Sequence, residues 1–178
     1  PYTTLFRSMS CFVAWGDKLA SEGPAAFYSA DYFADYPPGY ILVLGLVSLV
    51  RKALQLSYES RWTYFLLALI PAICDCAAVV LLDHISRRYM GQGRAQRCLV
   101  LFAAFCPLTL FDTGIWKQID GAFALPLLLC FWLLEERRYL LAAVLYGVAL
   151  AIKPQALLAG PVLAVCFLVA IADAVRDG

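Results

Sequence analysis

Apolar runs separated by short polar stretches fill most of the chain after residue 60. The five longest cover residues 62–82, 98–111, 121–134, 139–152 and 156–172. A helix that crosses the hydrocarbon of a bilayer needs about 20 residues at a rise of about 1.5 Å each. The first run has that length, and each of the others reaches it when its flanking residues are included. We therefore predict membrane spans at about 62–82, 98–116, 119–135, 138–152 and 156–173.

An amphipathic helix is predicted ahead of these runs, over residues 9–22. Phe12, Trp15 and Leu19 recur at the i, i+3 and i+7 positions of one helical face, and a Gly-Pro pair ends the pattern. Such a helix suits the surface of a bilayer. An ordinary amphipathic helix packed inside a protein gives the same pattern.

A sixth apolar run, residues 39–50, is about 18 Å long as a helix, and the pair Pro37-Pro38 fixes its start. At this length we interpret it as a juxtamembrane or re-entrant helix that does not cross the bilayer. The interfacial part of the chain then covers about residues 9–56. The alternative is that the run draws in residues 51–56 and crosses.

The positions of the basic residues favour the helix that does not cross. In that arrangement one side of the membrane holds these arginines: Arg87, Arg88, Arg94, Arg97, Arg137, Arg138 and Arg176. The positive-inside rule assigns that side to the cytoplasm. The polar segments 35–38, 113–120 and 153–155 then share the extracytoplasmic face, whereas a crossing sixth run would separate the first segment from the other two.

Composition supports a membrane protein and excludes several other classes. Of the 178 residues, 63% are hydrophobic and 15% are charged, whereas soluble domains carry about 25% charged residues. Mean hydropathy is +0.76. The net charge of +1 offers no basic footprint for DNA or RNA. We therefore predict an all-α polytopic membrane protein that is surrounded by a lipid bilayer and has no nucleic-acid partner.

The two ends of the chain indicate a fragment. Residues 1–8, PYTTLFRS, resemble the translation of a sequencing adapter, so we expect the authentic sequence to start near Met9 and residues 9–178 to form part of one membrane domain. The last residues follow an apolar run without a closing feature, which indicates truncation there as well. Seven cysteines at irregular spacing argue against a disulfide framework.

Polar side chains concentrate in the three segments of the predicted extracytoplasmic face. They are Asp35 and Tyr36 before the double proline, Trp116, Gln118 and Asp120 between two spans, and Lys153 and Gln155 on either side of Pro154. Carboxylates at a membrane surface can orient sugar hydroxyls, hold a divalent ion or act as a base. An ammonium in a tight turn can meet a lipid phosphate. The plainer interpretations are an interfacial anchor for Trp116 and a snorkelling side chain for Lys153.

Asp75 lies inside the first predicted span. A carboxylate at the centre of a bilayer costs at least about 2.5–3.5 kcal/mol on insertion scales. Asp75 must therefore face a protein interior, a partner or a water-filled cavity. A hydrogen bond to a neighbouring helix explains it at least as well as a role in function.

The order of these motifs resembles the GT-C membrane glycosyltransferases, and most of all bacterial relatives of the dolichyl-phosphate-glucose-dependent glucosyltransferases of N-glycan assembly. Residues 35–38 are similar to the Asp-Tyr-Pro-Pro motif of that group. Residues 115–120 are similar to its His-Phe-Gln-Tyr-Asn segment through the shared Gln118, and residues 153–155 to its Lys-Gln turn. The resemblance covers nearly all of residues 9–178. It implies that the chain is the N-terminal part of a larger helical module in a bacterial plasma membrane, with an extracytoplasmic active site.

The resemblance also implies a reaction. A hydroxyl of an unknown acceptor takes a hexose, such as glucose or mannose, from a polyprenyl-phosphate-linked donor, with inversion at the anomeric carbon. The general base of this group stands about seven residues before the Trp that matches Trp15. That position is Ser8, inside the adapter-like segment, so we expect this chain to be inactive by itself. The carboxylates of the polar segments could also bind a divalent cation as a cofactor.

The chemistry of this reaction assigns roles to the candidate residues. Negative charge grows on the leaving phosphate, and a cation beside it stabilises that charge. Lys153 is the first candidate for this cation, and Arg61 at the head of the first span is the second. Asp35 and Asp120 are the candidate catalytic carboxylates. The other candidate substrate-binding residues are Tyr36, Trp116, Gln118 and Gln155.

Two other functions stay open from the sequence alone. A transporter or flippase would use the intramembrane Asp75 and the proline-broken helices. A membrane scaffold would use the polar residues only for packing. An enzyme requires Asp35, Asp120 and Lys153 to approach one cavity, whereas a scaffold does not.

Overall fold

The computed structural model describes the backbone of residues 2–28, 32 and 34–177, and the side chains of these residues except 2–8, 174, 175 and 177. In this part of the chain the α-helices are α1 (Tyr2–Glu22), α2 (Pro24–Phe27), α3 (Pro38–Ala53), α4 (Arg61–Met90), α5 (Arg94–Ala104), α6 (Pro107–Phe111), α7 (Asp120–Glu135), α8 (Tyr139–Ile152) and α9 (Gly160–Asp177). A π-helix, Asp112–Trp116, follows α6, and a 3-10 helix, Pro154–Ala159, joins α8 to α9. The predicted all-α fold is confirmed.

The predicted amphipathic helix near the N-terminus is confirmed as the second part of α1. Phe12, Trp15 and Leu19 are all more than nine-tenths buried, and they join Tyr40 of α3 in one apolar cluster. Gly23, with φ at +79°, ends the helix in a conformation that few other residues adopt. The adapter-like character of residues 1–8 falls largely on side chains outside the described residues and stays a prediction.

The sixth apolar run forms α3, which begins at Pro38 and continues to Ala53. One face of α3 packs against α1. The opposite face exposes Leu42, Leu46 and Leu49, each by more than half of its surface. With 16 residues the helix is about 24 Å long. Its position in the bilayer without crossing stays a prediction.

The Arg51 guanidinium joins the end of α3 to α1. Its Nη2 donates to the two carboxylate oxygens of Asp17 at 2.7 and 2.8 Å, and its Nη1 donates to the Leu56 carbonyl at 2.9 Å. The Arg51 side chain is 11% exposed. Because water reaches this pair poorly, we expect it to contribute more than an exposed ion pair, which is worth about 0–1 kcal/mol.

Replacing Arg51 by methionine is expected to lower the free energy of unfolding by about 1–3 kcal/mol, since Asp17 and the Leu56 carbonyl then lose a charged donor. The matched control is Lys52→Met, because Lys52 is 44% exposed and its Nζ is 3.9 Å from Asp17. We expect this control to stay within about 0.5 kcal/mol of the wild type. Unfolding of the purified protein in mixed micelles measures both values. Equal losses in the two variants would show that Arg51 acts only as a surface charge.

The long helix α4 has 30 residues and extends about 45 Å. Ser60 caps its start, where the side-chain oxygen accepts two backbone N–H groups at 3.2 Å. Pro71 lies inside the helix without ending it. The helix continues eight residues beyond the predicted span, which ends at residue 82, because hydropathy marks the apolar run and the polar residues that follow continue the same helix.

In the described part of the chain, two apolar clusters organise the packing. The first joins α1, α3, the first half of α4 and the start of α7; its buried members include Phe27, Ile41, Leu67 and Ile119. The second joins α7, α8 and α9; its buried members are Cys130, Leu133, Ala142 and Leu163. The start of α7 and the end of α8 both reach the first cluster, and the predicted polar segments lie at this junction.

Three helical segments in the described part of the chain are long and apolar enough to cross a membrane: Arg61–Met90, Arg94–Trp116 and Pro154–Asp173. The two other predicted spans correspond to α7 and α8, with 16 and 14 residues. These helices are about 24 and 21 Å long, which is less than the roughly 30 Å of hydrocarbon in a bilayer. That they cross together with their flanking residues stays a prediction.

The predicted span at 98–116 is not one continuous α-helix. Its helical segment begins at Arg94 and is interrupted at Cys106, where the backbone is extended with ψ at 116°. The cause is Pro107, because the residue before a proline avoids helical dihedrals. The interruption separates α5 from α6 and the π-helix that carries the first residues of the site.

Candidate active site

The turn before α7 brings several polar side chains together. The π-helix ends at Lys117, which has a left-handed backbone with φ at 54°. The Gln118 N–H donates to the Asp112 carbonyl at 3.2 Å and closes the turn. The carboxyl group of Asp112 lies close enough to that of Asp120 for the two charges to repel each other. π-Helices are rare and frequently lie at functional sites, where the extra residue redirects side chains.

Lys153 lies directly after α8, in an extended conformation with φ −149° and ψ 125°, as expected of a residue before proline. Its Nζ donates to Oδ1 of Asp120 and lies 5.6 Å from the ring centroid of Phe123. The Lys153 side chain is 12% exposed and that of Asp120 is 42% exposed. The ammonium is therefore held in place from one side by α7, while the carboxylate stays open to solvent.

Tyr36 connects the first polar segment to the second. Its hydroxyl donates to the Gln118 Oε1 at 3.5 Å, and its carbonyl accepts a bond of 3.0 Å from the Tyr28 hydroxyl. Its ring packs at 4.6 Å from the ring of Tyr40. Burial and the neighbouring carboxylates, led by Asp35, raise the pKa of Tyr36 above its ordinary value. The phenol is therefore neutral at physiological pH and available as a hydrogen-bond donor.

One cleft unites the first and third polar segments. It has a volume of about 510 Å³ and is lined by Asp35, Tyr36, Lys153, Pro154, Gln155, Leu157 and Leu158. Asp35 is exposed and has no salt-bridge partner among the described residues. Leu157 and Leu158 are also exposed. The cleft thus combines a carboxylate without a salt bridge, a largely buried ammonium and an apolar side.

The first polar segment rests on the end of α8 through a close backbone approach. A Cβ atom added to Gly39 would lie 2.5 Å from the carbonyl oxygen of Ala151 and 2.7 Å from its carbon. Only glycine allows this separation. The contact fixes the segment that contains Asp35 and Tyr36 beside Lys153.

Asp75 of α4 contacts the two segments that carry the second part of the site. Thr113 Oγ1 in the π-helix donates to Asp75 Oδ2 at 2.5 Å, and Thr113 is 7% exposed. Gly121 of α7 lies against the same carboxylate and against the Pro71 carbonyl, where a Cβ would have no room. The hydrogen bond between helices that the sequence suggested for Asp75 is therefore present, with Thr113 as its donor. Together with the Gly121 contact, it joins α4 to the π-helix and to the start of α7.

Comparison with known proteins adds a family to this geometry. The sequence model for glycosyltransferase family 87, a family of membrane glycosyltransferases of the GT-C type, matches residues 33–173. The match includes all three polar segments. The chain belongs to glycosyltransferase family 87. Searches of the curated proteins and of the solved structures find no match.

Membership of family 87 confirms the resemblance to GT-C membrane glycosyltransferases and the general activity of a transferase. The structure also brings together residues that are far apart in the sequence. Asp35, Tyr36, Lys153 and Gln155 line the cleft, and Asp120 joins them through its ion pair with Lys153. Gln118 joins them through Tyr36.

Two candidates do not join this group in the family 87 chain. Arg61 begins α4 and is exposed. The α4 residues that meet α7 beside the site are Pro71 and Asp75, which lie about 15 and 21 Å further along the helix. Trp116 is 50% exposed and its ring packs against Phe111 at 5.6 Å. The side chain of Ser8, the expected position of the base, lies outside the described residues.

Sequence reasoning did not single out Asp112, which lies near Asp120, or Phe123, whose ring lies beside the Lys153 ammonium. Asp112 stands four residues before Trp116, at the edge of an apolar run. An acidic side chain at that position could have marked it as a candidate site residue. Phe123 gave no signal, because one aromatic residue in an apolar run is ordinary. Among the described residues no group of three or more His, Cys, Asp or Glu side chains is placed to hold a metal ion.

Proposed function

We propose that this chain is part of an enzyme that transfers a hexose from a polyprenyl-phosphate-linked donor to an acceptor hydroxyl at the extracytoplasmic face, with inversion at the anomeric carbon. One observation carries the proposal. In a chain of a glycosyltransferase family, the Lys153 ammonium and the Asp35 carboxylate line the same cleft, although 118 positions separate them in the sequence. The juxtaposition supports an enzyme over the transporter and scaffold alternatives.

The phosphate end of the donor is assigned to Lys153. As the bond between the anomeric carbon and the phosphate oxygen breaks, its electron pair stays on that oxygen and the polyprenyl phosphate gains negative charge. A fixed ammonium in a poorly solvated position stabilises this charge more than water does. The contacts with Asp120 and Phe123 hold the ammonium in place before the donor arrives. Exposed Leu157 and Leu158 offer the polyprenyl chain an apolar surface beside it.

The acceptor end is assigned to Asp35, and on this assignment the chain transfers the sugar without the base expected at position 8, contrary to the inactivity that the family resemblance implies. Its free carboxylate takes the proton of the acceptor hydroxyl while the acceptor oxygen forms the new bond to the anomeric carbon on the face opposite the phosphate. Asp120 is less suited to this step because its Oδ1 accepts from Lys153; it is a positioning residue for the ammonium. The neutral Tyr36 hydroxyl and the amides of Gln118 and Gln155 are placed to bind sugar hydroxyls.

Donor binding tests the proposed function directly. The purified chain in lipid nanodiscs is titrated with polyprenyl phosphate, with polyprenyl-phosphate-linked glucose or mannose, and with polyprenol. We expect both phosphate-bearing classes to bind at least about tenfold more tightly than polyprenol, because charged hydrogen bonds contribute about 1.5–3 kcal/mol. Equal affinities for polyprenol and polyprenyl phosphate would overturn the assignment of this cleft to a lipid-linked donor.

Replacing Asp35 by asparagine tests the proton transfer. Release of polyprenyl phosphate from the sugar-linked donor, in the presence of membrane lipid extract as acceptor, is expected to fall about a hundredfold or more. Donor binding is expected to stay within about twofold, because the carboxylate does not contact the phosphate. Unchanged release, or a wild-type chain that binds donor without releasing any polyprenyl phosphate, would move the base to another position, such as that of Ser8, and contradict the role of Asp35.

A further inference from the structure

A second cleft lies away from the candidate active site, where the turn Gly91–Gly93 joins α4 to α5. It has a volume of about 370 Å³, and its lining includes Asp83, Arg87, Arg97, Val100 and Leu101. Arg87 is twelve residues, or about 18 Å, further along α4 than Asp75. The two segments that meet here, Arg61–Met90 and Arg94–Trp116, are both candidate membrane spans. The cleft therefore lies at the level where spans end and lipid headgroups begin.

One charged pair in this second cleft is neutralised within the protein, whereas a further arginine has no acidic partner among the described residues. Asp83 is the acidic residue of the lining, and its carboxylate accepts from Arg87 at 2.7 Å and from the Gln96 amide at 2.7 Å. Gln96 is 3% exposed and donates to Ser86 as well. Within the described part of the chain Arg97 forms no salt bridge, and its side chain is exposed. An anion that enters the cleft thus meets a guanidinium that the protein has not neutralised.

An apolar surface lies directly beside this guanidinium. Arg97 and Leu101 are four residues apart on α5 and therefore lie on the same helical face. Leu101 is 56% exposed, and Val100 beside it also lines the cleft. A free phosphate ion could use only Arg97 and would gain nothing from these residues. A ligand with a phosphodiester next to acyl chains uses both.

We propose that this second cleft binds the headgroup of an anionic phospholipid, with the phosphodiester against Arg97 and the first acyl carbons against Leu101. Arginine suits this contact because its planar guanidinium binds two phosphate oxygens at once. The neighbouring Arg87 guanidinium stays on Asp83 and limits the site to one phosphate. The site is separate from the cleft that contains Lys153 and is independent of the proposed transfer reaction.

Native mass spectrometry of the purified chain tests the site, with titrations of dioleoylphosphatidylglycerol and dioleoylphosphatidylcholine into detergent micelles. Replacing Arg97 by glutamine is expected to weaken retention of the first phosphatidylglycerol about fivefold, since one basic residue near a membrane surface contributes about 1 kcal/mol. The matched control is Arg138→Gln, which removes an exposed arginine on the same predicted side of the membrane. We expect this control to keep wild-type retention, and both variants to keep the wild-type unfolding temperature in neutral detergent.

Three outcomes would overturn the proposal. Equal losses in the two variants would show a diffuse attraction between basic loops and anionic lipid. Equal retention of phosphatidylcholine and phosphatidylglycerol by the wild type would remove the role of charge. Displacement of phosphatidylglycerol by millimolar inorganic phosphate would show an ion site without a contribution from the acyl chains.

Discussion

Replacing Lys153 by methionine is expected to weaken the binding of polyprenyl phosphate at least tenfold and to lower glycosyl transfer by at least the same factor. Methionine keeps most of the length of the side chain and its contact with Phe123, so the change removes the charge more than the packing. A hydrogen bond to a charged group contributes about 1.5–3 kcal/mol, which corresponds to a factor of about 10 to 150 in affinity. Titration with polyprenyl phosphate in nanodiscs measures binding, and release of polyprenyl phosphate measures transfer.

Two further variants show whether the effect of Lys153→Met is specific to that lysine. Lys52→Met removes a lysine that is 44% exposed at the end of α3 and should leave donor affinity within about twofold of the wild type. Arg61→Met removes the other cation that the sequence offered. Loss of affinity in Arg61→Met with normal affinity in Lys153→Met would show that the phosphate lies at the head of α4 and would contradict the proposed cleft.

Replacing Gly121 by alanine is expected to destabilise the protein by about 1–3 kcal/mol, because the new methyl group overlaps the Asp75 carboxylate and the Pro71 carbonyl. The start of α7 must then move away from α4. Since Asp120 is the preceding residue and holds the Lys153 ammonium, we expect transfer to fall more than stability alone explains. Thermal unfolding in micelles and initial transfer rates measure the two effects separately.

Gly147→Ala is the matched control for Gly121→Ala. Gly147 also lies within a helix, and a Cβ there would meet nothing within 4 Å, so alanine should stabilise the protein slightly through its higher helix propensity. The double variant Gly121→Ala with Asp75→Ala removes the carboxylate that the methyl group overlaps. We expect it to be more stable than the sum of the two single changes indicates. Strict additivity would show that the Asp75 contact does not restrict position 121.

Local patterns in the sequence predicted the approximate positions of most of the long helices. The stripe of Phe12, Trp15 and Leu19 predicted the buried face of α1, and the double proline predicted the start of α3 at Pro38. Local patterns gave less about interruptions. Four prolines lie inside the predicted apolar runs. Pro71 stays within α4 while Pro107 ends α5, although apolar residues flank both.

The arrangement of the candidate site was predicted only in part, because it depends on contacts between distant segments. Sidedness predicted that the segments containing Asp35, Asp120 and Lys153 share one face, and the structure brings them together. The ion pair between Lys153 and Asp120 has no signature in either segment, since it requires α7 and α8 to pack side by side. The π-helix likewise has no sequence period of its own, so the contacts of Asp112 and Thr113 could not be foreseen.

The contact between Gly39 and Ala151 also affects how the two charged groups of the cleft are spaced. Asp35 stands four residues before Gly39 and Lys153 two residues after Ala151, so main chain supports both charged groups within a few residues of one junction. The contact between the two backbones therefore limits how far the Asp35 carboxylate and the Lys153 ammonium can move relative to each other. Under the proposed reaction, a substitution that separates these two backbones would change the spacing between proton acceptor and cation without altering either charged group.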